Sequence, residues 1–264
     1  MINGKTKLYA IIADPISHVR TPEVFNELFS LNCCDAVLVP IQVAPEGLKA
    51  VLAAFRAMKN LGGFVTTVPH KTAVAALCDE LGDAGRAIGA VNAVRRETDG
   101  RLIGNMFDGA GFVAGLRSQG YDPVGRRALL VGAGGAAAAI AFALVEAGVA
   151  SLTVANRTRS KAEEIAVRIA KYFPDRPIVA GNADPAGHDL VINATSLGLK
   201  ADDPLPIDTT RLTPAMTVAE IIMKPETTQL LAAAKARGCT IHYGRHMLDE
   251  QVRLIADFIG AMGS

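Results

Sequence analysis

The chain has 264 residues, of which half are hydrophobic, and a formal net charge of +1. That length favours two domains with sizeable cores over one. The near-neutral charge, with no long run of one sign, argues against a nucleic-acid or other polyanionic partner. The four cysteines, Cys33, Cys34, Cys78 and Cys239, show no metal-ligand spacing. No metal site is expected, and a reducing, cytoplasmic setting is. Leu8 to Ala13 is too short an apolar run for a signal peptide or membrane span, so no membrane partner is expected.

Leu8–Ala13 reads as a first strand, followed by the loop Asp14 to Arg20. Thr21-Pro22-Glu23 then offers an N-cap, a proline at the first helical position and an acid in the first turn, with the helix running to about Leu31. A second strand is expected over Ala36–Val43, and a helix from Pro45 to about Lys59. Gly62-Gly63 turns the chain into a third strand, Phe64–Val68. After Pro69-His70-Lys71 a helix should continue through Leu81. Val91–Glu97 and Arg101–Met106, joined at Asp99-Gly100, carry a hairpin signal. Phe107–Gln119 is expected to be a linking helix.

The next stretch carries the strongest pattern. Ala128-Leu129-Leu130-Val131 is short and apolar, as a buried parallel strand is. It stops at Gly132-Ala133-Gly134-Gly135-Ala136-Ala137, which reads G-x-G-x-x-A. An alanine-rich helix follows to about Glu146, Gly148 stops it, and Ser151–Ala155 is the next strand. This is the strand-turn-helix-strand context that a dinucleotide fingerprint requires. Gly132 permits the tight turn, Gly134 lets the backbone approach a pyrophosphate, and Ala137 lets the helix pack close. The helix start offers free N–H groups and a positive dipole end to the phosphates.

The end of the second strand points to the cofactor. An NAD site usually places a carboxylate there for the ribose 2′-OH. Here Asn156-Arg157-Thr158-Arg159-Ser160-Lys161 holds three cations and no acid, so NADP is expected, with Arg159 the cation most simply left to solvent. Beyond it come a helix from about Ser160 to Tyr172 and a strand Leu190–Ile192 ending in Asn193 to Gly198. A strand Thr217–Ile222, a helix to about Arg237 and a last helix Met247–Ala261 complete the chain.

A dehydrogenase needs the cofactor to take a hydride and a protein group to take the hydroxyl proton. Lys71, past a strand end, and Asp108, at the junction of the two halves, are the candidates. Asn92 could hold the lysine or a substrate hydroxyl. Sequence spacing does not by itself bring these three together.

Over nearly its whole length the chain resembles the shikimate dehydrogenase family, which includes quinate/shikimate dehydrogenases. The matching stretches stand in family order: Asp14 to Pro22, Val68 to Lys71, Gly89 to Asn92, Gly104 to Gly109, Gly132 to Ala136, Asn156 to Thr158, Asn193 to Gly198, and Met247-Leu248 with Gln251. Each is short, and together they are specific. The resemblance implies an α/β fold with an N-terminal substrate domain (1–106 plus 240–264) and a Rossmann-type doubly wound NADP domain (107–239), the last helix returning to the first. It implies Lys71 and Asp108 as the catalytic pair, and Asn92 and Gln251 as substrate contacts, with Thr21 and Thr67 as further substrate-binding candidates. Gly132, Ala133, Gly134, Gly135, Ala136, Asn156, Arg157, Thr158, Lys161, Thr195 and Ser196 form the expected cofactor set. The expected substrate is a hydroxylated cyclic carboxylic acid, shikimate or a close analogue, handled by a monomer or homodimer.

The departures from the family lie on the substrate side. Val19 replaces the first of two carboxylate-binding hydroxyls, Val65 an asparagine, and Phe107 the threonine before the aspartate. The tyrosines expected near Val218 to Met223 are absent. Each lost hydrogen bond would cost about 1–3 kcal/mol if a substrate group were left unpaired. Arg20 or His18 could compensate, although Arg20 reads first as a solvated loop cation; His70 reads as a supporting residue. The rival readings are a quinate or other hydroxy-acid dehydrogenase, and a weakly catalytic NADP-binding regulator.

Overall fold

The computed structural model describes residues 2–17 and 19–262. It divides into two compact units, Met1–Phe107 with Val252–Ser264, and Asp108–Gln251.

The first unit contains β1 (Lys7–Ala13), α1 (Thr21–Leu31), β2 (Ala36–Gln42), a 3-10 turn at Pro45–Gly47 and α2 (Leu48–Ala57). Then follow β3 (Leu61–Thr66), α3 (Lys71–Ala75), β4 (Glu80–Leu81), α4 (Asp83–Ile88), β5 (Ala93–Arg96) and β6 (Leu102–Asn105). The sheet order is β2-β1-β3-β5-β6-β4. β1 is parallel to both neighbours, and β3, β5 and β6 pair antiparallel. Apolar clusters form on Phe55, Phe64 and Leu102 and on Tyr9, Phe25 and Phe29. The second of these takes in Val252, Ile255 and Ile259, which is why the chain's last helical turns belong to this unit.

Several expectations shift here. The cap of α1 is Arg20, without a side-chain cap bond, and Thr21 is the first helical residue. Gly62 and Gly63 lie inside β3 and do not precede it. A Cβ on Gly62 would stand 2.5 Å from the Tyr9 ring, and one on Gly63 2.5 Å from the Val94 carbonyl, so the strand needs glycine to pack between its neighbours. The helix after Lys71 has five residues and does not reach Leu81, because Glu80–Leu81 pairs with β6. His18 lies outside the described residues.

The second unit opens with α5 (Asp108–Ser118), β7 (Arg127–Val131), α6 (Gly135–Glu146), β8 (Ser151–Ala155), α7 (Arg159–Ala170) and β9 (Ile178–Gly181). It continues with β10 (Leu190–Asn193), β11 (Thr217–Glu220), α8 (Gln229–Ala236) and β12 (Thr240–His242). α9 (Arg245–Phe258) begins in this unit and ends in the first. All six strands are parallel, in the order β12-β11-β10-β7-β8-β9. Counted from β7 this is the 3-2-1-4-5-6 order of a doubly wound dinucleotide fold, read from the other edge. The chain remains in this sheet past residue 240, since β12 pairs with β11, so the boundary falls at Gln251.

α6 is buried from Ala137 to Val145, which explains its lack of a polar face. Its small residues allow a close approach by α5: a Cβ on Gly109 would overlap the Ala139 carbonyl. Asp189 ties the start of β7 to the start of β10 by accepting from the Arg127 backbone N–H (2.9 Å) and guanidinium (2.8 Å).

Candidate active site

Fold logic places a ligand of the second unit where the strand order reverses, at the carboxyl ends of β7 and β10. A cavity of about 730 Å³ lies there. Its walls lie at the carboxyl ends of four parallel strands: Gly132–Gly134 after β7, Asn156–Thr158 after β8 with Arg159 and Lys161 of α7, Gly181–Ala183 at the end of β9, and Ala194–Leu197 after β10.

Gly132 has φ +124°, a conformation that L side chains rarely adopt, and a Cβ there would lie 2.5 Å from the Ala194 carbonyl oxygen. The tight turn and the close approach therefore both need glycine. Gly134 caps α6, and a Cβ on it would meet no protein atom within 4 Å. The backbone is thus open to a ligand at the helix start. Ala133, Thr158, Thr195 and Ser196 line the same cavity. Gly135 and Ala136 do not line it; they form the first turn of α6, where their contribution is the helix N-terminus.

No Asp or Glu is among the lining residues, which include Arg157, Arg159 and Lys161. Arg159 donates to Glu163 one turn along α7 at 2.9 Å, so part of its charge is answered locally. Asn156 donates to the Thr158 carbonyl at 2.9 Å, holding the turn that presents Arg157. Such a rim has the charge that suits a 2′-phosphate and offers no carboxylate to a 2′-hydroxyl. The lining from Gly181 to Ala183 was not foreseen, because β9 is a four-residue edge strand; the β-branched pair between Pro177 and Gly181-Asn182 was its only signal.

In the first unit, several candidate residues share one sheet edge. β1 and β3 run parallel, with Ile12 opposite Thr66, so the loops after them leave from the same side. β5 starts at that edge, Ala93 opposite Val65. The Thr67 backbone N–H donates to the Ile12 carbonyl at 3.2 Å, and His70 N–H to the Thr67 carbonyl at 2.8 Å. His70 is buried against the Val43 carbonyl (2.7 Å), a supporting role. Lys71 opens α3, and its carbonyl accepts from Val91 N–H at 3.0 Å. Asn92 is 3% exposed; its carbonyl accepts from Thr66 N–H at 2.9 Å, and its Oδ1 accepts from Phe107 N–H at 2.9 Å. Lys71, Thr67 and Asn92 are thereby gathered within the unit. Thr21 starts α1 beyond the loop that follows β1. Arg20 pairs with Glu23 at 3.0 Å with 71% of its side chain exposed, as a solvated cation does.

Asp108 belongs to the second unit, where it opens α5 and is 7% exposed. Gln251 of α9 donates to its Oδ1 at 2.7 Å. Gly111 makes that approach possible, since a Cβ there would be 2.8 Å from the Gln251 Cβ. The sequence points Gln251 toward substrate; the structure adds a bond to Asp108 that no spacing along the chain signals.

These features define a class: an oxidoreductase with a Rossmann unit for a nicotinamide dinucleotide. Comparison with known proteins narrows it. Residues 11–94 match the family description "Shikimate dehydrogenase substrate binding domain", and residues 117–199 match "Shikimate / quinate 5-dehydrogenase". The NADP(+)-type shikimate dehydrogenase of Rubrobacter xylanophilus is 41% identical over 255 residues, covering 94% of this chain and 88% of that one. Shikimate 5-dehydrogenase of Listeria monocytogenes, solved with shikimate and NAD, superposes with a TM-score of 0.91 at 31% identity, covering 99% and 93%. The 5-ketofructose reductase of Gluconobacter sp. strain CHM43 gives 0.89 at 34% identity, covering 98% and 97%. The chain belongs to the shikimate dehydrogenase family.

Proposed function

We propose that the protein is an NADP-dependent oxidoreductase that oxidises a ring hydroxyl of shikimate and, in reverse, reduces 3-dehydroshikimate. The observation that carries the cofactor reading is the acid-free cavity rim bearing Arg157 and Lys161. Bound there, NADP would supply the hydride acceptor. Lys71 Nζ takes the hydroxyl proton, and the Asp108 carboxylate, steadied by Gln251, balances the ammonium. Asn92, Thr21, Thr67 and Gln251 position the substrate. The NADP(+)-type relative at 41% identity supports the same assignment.

A second reading concerns the substrate. Val19, Val65 and Phe107 join one apolar cluster of the first unit, where the family resemblance would place polar groups. The 34% identical relative is a 5-ketofructose reductase, so a polyhydroxy ketone without a carboxylate is the competing substrate. NADP reduction with shikimate and quinate, and NADPH oxidation with 3-dehydroshikimate and 5-ketofructose, separate the two. Tight NADP binding with silence across that panel would instead favour a regulatory role. Lys71→Ala should abolish turnover with cofactor affinity retained; undiminished turnover removes Lys71 from the mechanism.

A further inference from the structure

Glu220 ends β11 and does not line the cavity, yet it is wholly buried. Burying a carboxylate is costly unless its oxygens are satisfied. Here they are. The Asn193 side-chain amide donates to both oxygens, at 3.1 and 3.0 Å. The backbone N–H groups of Ile221 and Ile222 reach Oε1 at 2.9 and 3.2 Å, and the Thr228 hydroxyl reaches Oε2 at 3.0 Å.

The consequence lies on the other side of Asn193. Because Glu220 Oε1 already accepts from two backbone N–H groups, this side chain offers acceptors to Asn193, and the amide turns its NH₂ toward Glu220 and its oxygen away. That oxygen accepts from Thr195 N–H at 3.1 Å and from the Thr195 hydroxyl at 2.7 Å. The Thr195 hydroxyl in turn accepts from Leu197 N–H at 3.0 Å, and Asn193 Nδ2 also donates to the Leu197 carbonyl at 2.9 Å. Thr195 and Leu197 are cavity wall. Without the acid, the amide would keep only its Leu197 and Thr195 partners and lose the two bonds that hold its NH₂ from the β11 side.

We propose that Glu220 is a positioning residue of the dinucleotide site: it fixes the Asn193 amide, and through it the Thr195–Leu197 wall, in the form that receives the cofactor. This rests on the reading that the cavity takes NADP. The competing account is that Glu220 only ties β11 to the cap of α8, where Thr228 also accepts from Leu231 N–H at 3.3 Å. A purely structural tie would change the melting temperature and leave the affinity of the folded protein alone.

The test is calorimetric titration of the full chain with NADP. Glu220→Gln keeps the shape and one acceptor oxygen, but removes the charge and sets an NH₂ at one of the two positions that accept from the Asn193 amide. Its Kd should rise by about tenfold or more, the worth of a lost charge-assisted bond. Asn193→Ala, which leaves Glu220 its other donors, should show the same rise. Thr228→Val, which removes the hydroxyl's bonds to Glu220 Oε2 and Leu231 N–H but leaves both Asn193–Glu220 bonds, should melt earlier and bind NADP within about twofold of wild type. A wild-type chain that binds no NADP sinks the proposed function and this inference together. A wild type that binds, beside folded Glu220→Gln of equal affinity, overturns the inference alone. If Glu220→Gln does not fold, wild-type affinity in Asn193→Ala overturns it equally.

Discussion

Replacing Gly132 by alanine tests the tightest contact of the cofactor site. The added Cβ would sit 2.5 Å from the Ala194 carbonyl oxygen and 2.7 Å from its carbon. It would also force an L residue to φ +124°. Backbone strain of that kind costs about 1–3 kcal/mol, and overpacking against an immobile neighbour adds about 1–3 kcal/mol. The neighbour cannot move freely: Ala194 N–H donates to the Val131 carbonyl at 2.7 Å, and Asn193 is held by Glu220. The sum, about 2–6 kcal/mol, corresponds to a melting temperature lower by roughly 5–15 °C for a chain of this size. Whatever the backbone yields is yielded by Ala194 to Leu197, so NADP affinity should fall as well. Differential scanning calorimetry with and without NADP checks both. A midpoint within about 1 °C of wild type, with unchanged affinity, would refute the claim that this approach is intolerant of a side chain.

Arg157→Ala should raise the KM for NADP by roughly tenfold or more and leave that for NAD little changed, since the proposed partner of this cavity-lining guanidinium is the 2′-phosphate, which NAD lacks; steady-state kinetics with both cofactors decides it. Gly109→Ala should push α5 off the Ala139 carbonyl of α6 and displace Asp108, lowering kcat more than it raises the KM for NADP. Burial lowers the His242 imidazole from 6.5 to about 4, and the neighbouring His246 adds to the effect. The unfolded chain therefore takes up a proton that the folded chain refuses, and stability is lost as pH falls from 6.5 toward 4. His242→Leu should flatten the fall in melting temperature across that window; an unaltered slope would exclude His242 as its source.

Some features of this protein are local, and the sequence alone determined them. The turn Gly132 to Ala137 could be read because strand, turn and helix follow one another within a few residues, each with its own periodicity. The cations after β8 could be read because a missing carboxylate at one position is a one-residue fact. Lys71, Asn92 and Asp108 could be singled out because each stands in its own short matching stretch. Other features depend on neighbours distant along the chain, and only the tertiary structure decided them. β4, β9 and β12 are two to four residues long and are held by pairing with β6, β8 and β11, so they are too short to show a period of their own. Gly62 and Gly63 look like a turn until Tyr9 and Val94 occupy the space that side chains would need. Gln251 reaches Asp108 across 143 positions of sequence, and Glu220 reaches Asn193 across 27. No spacing rule links such pairs, because packing brings them together and local propensity does not.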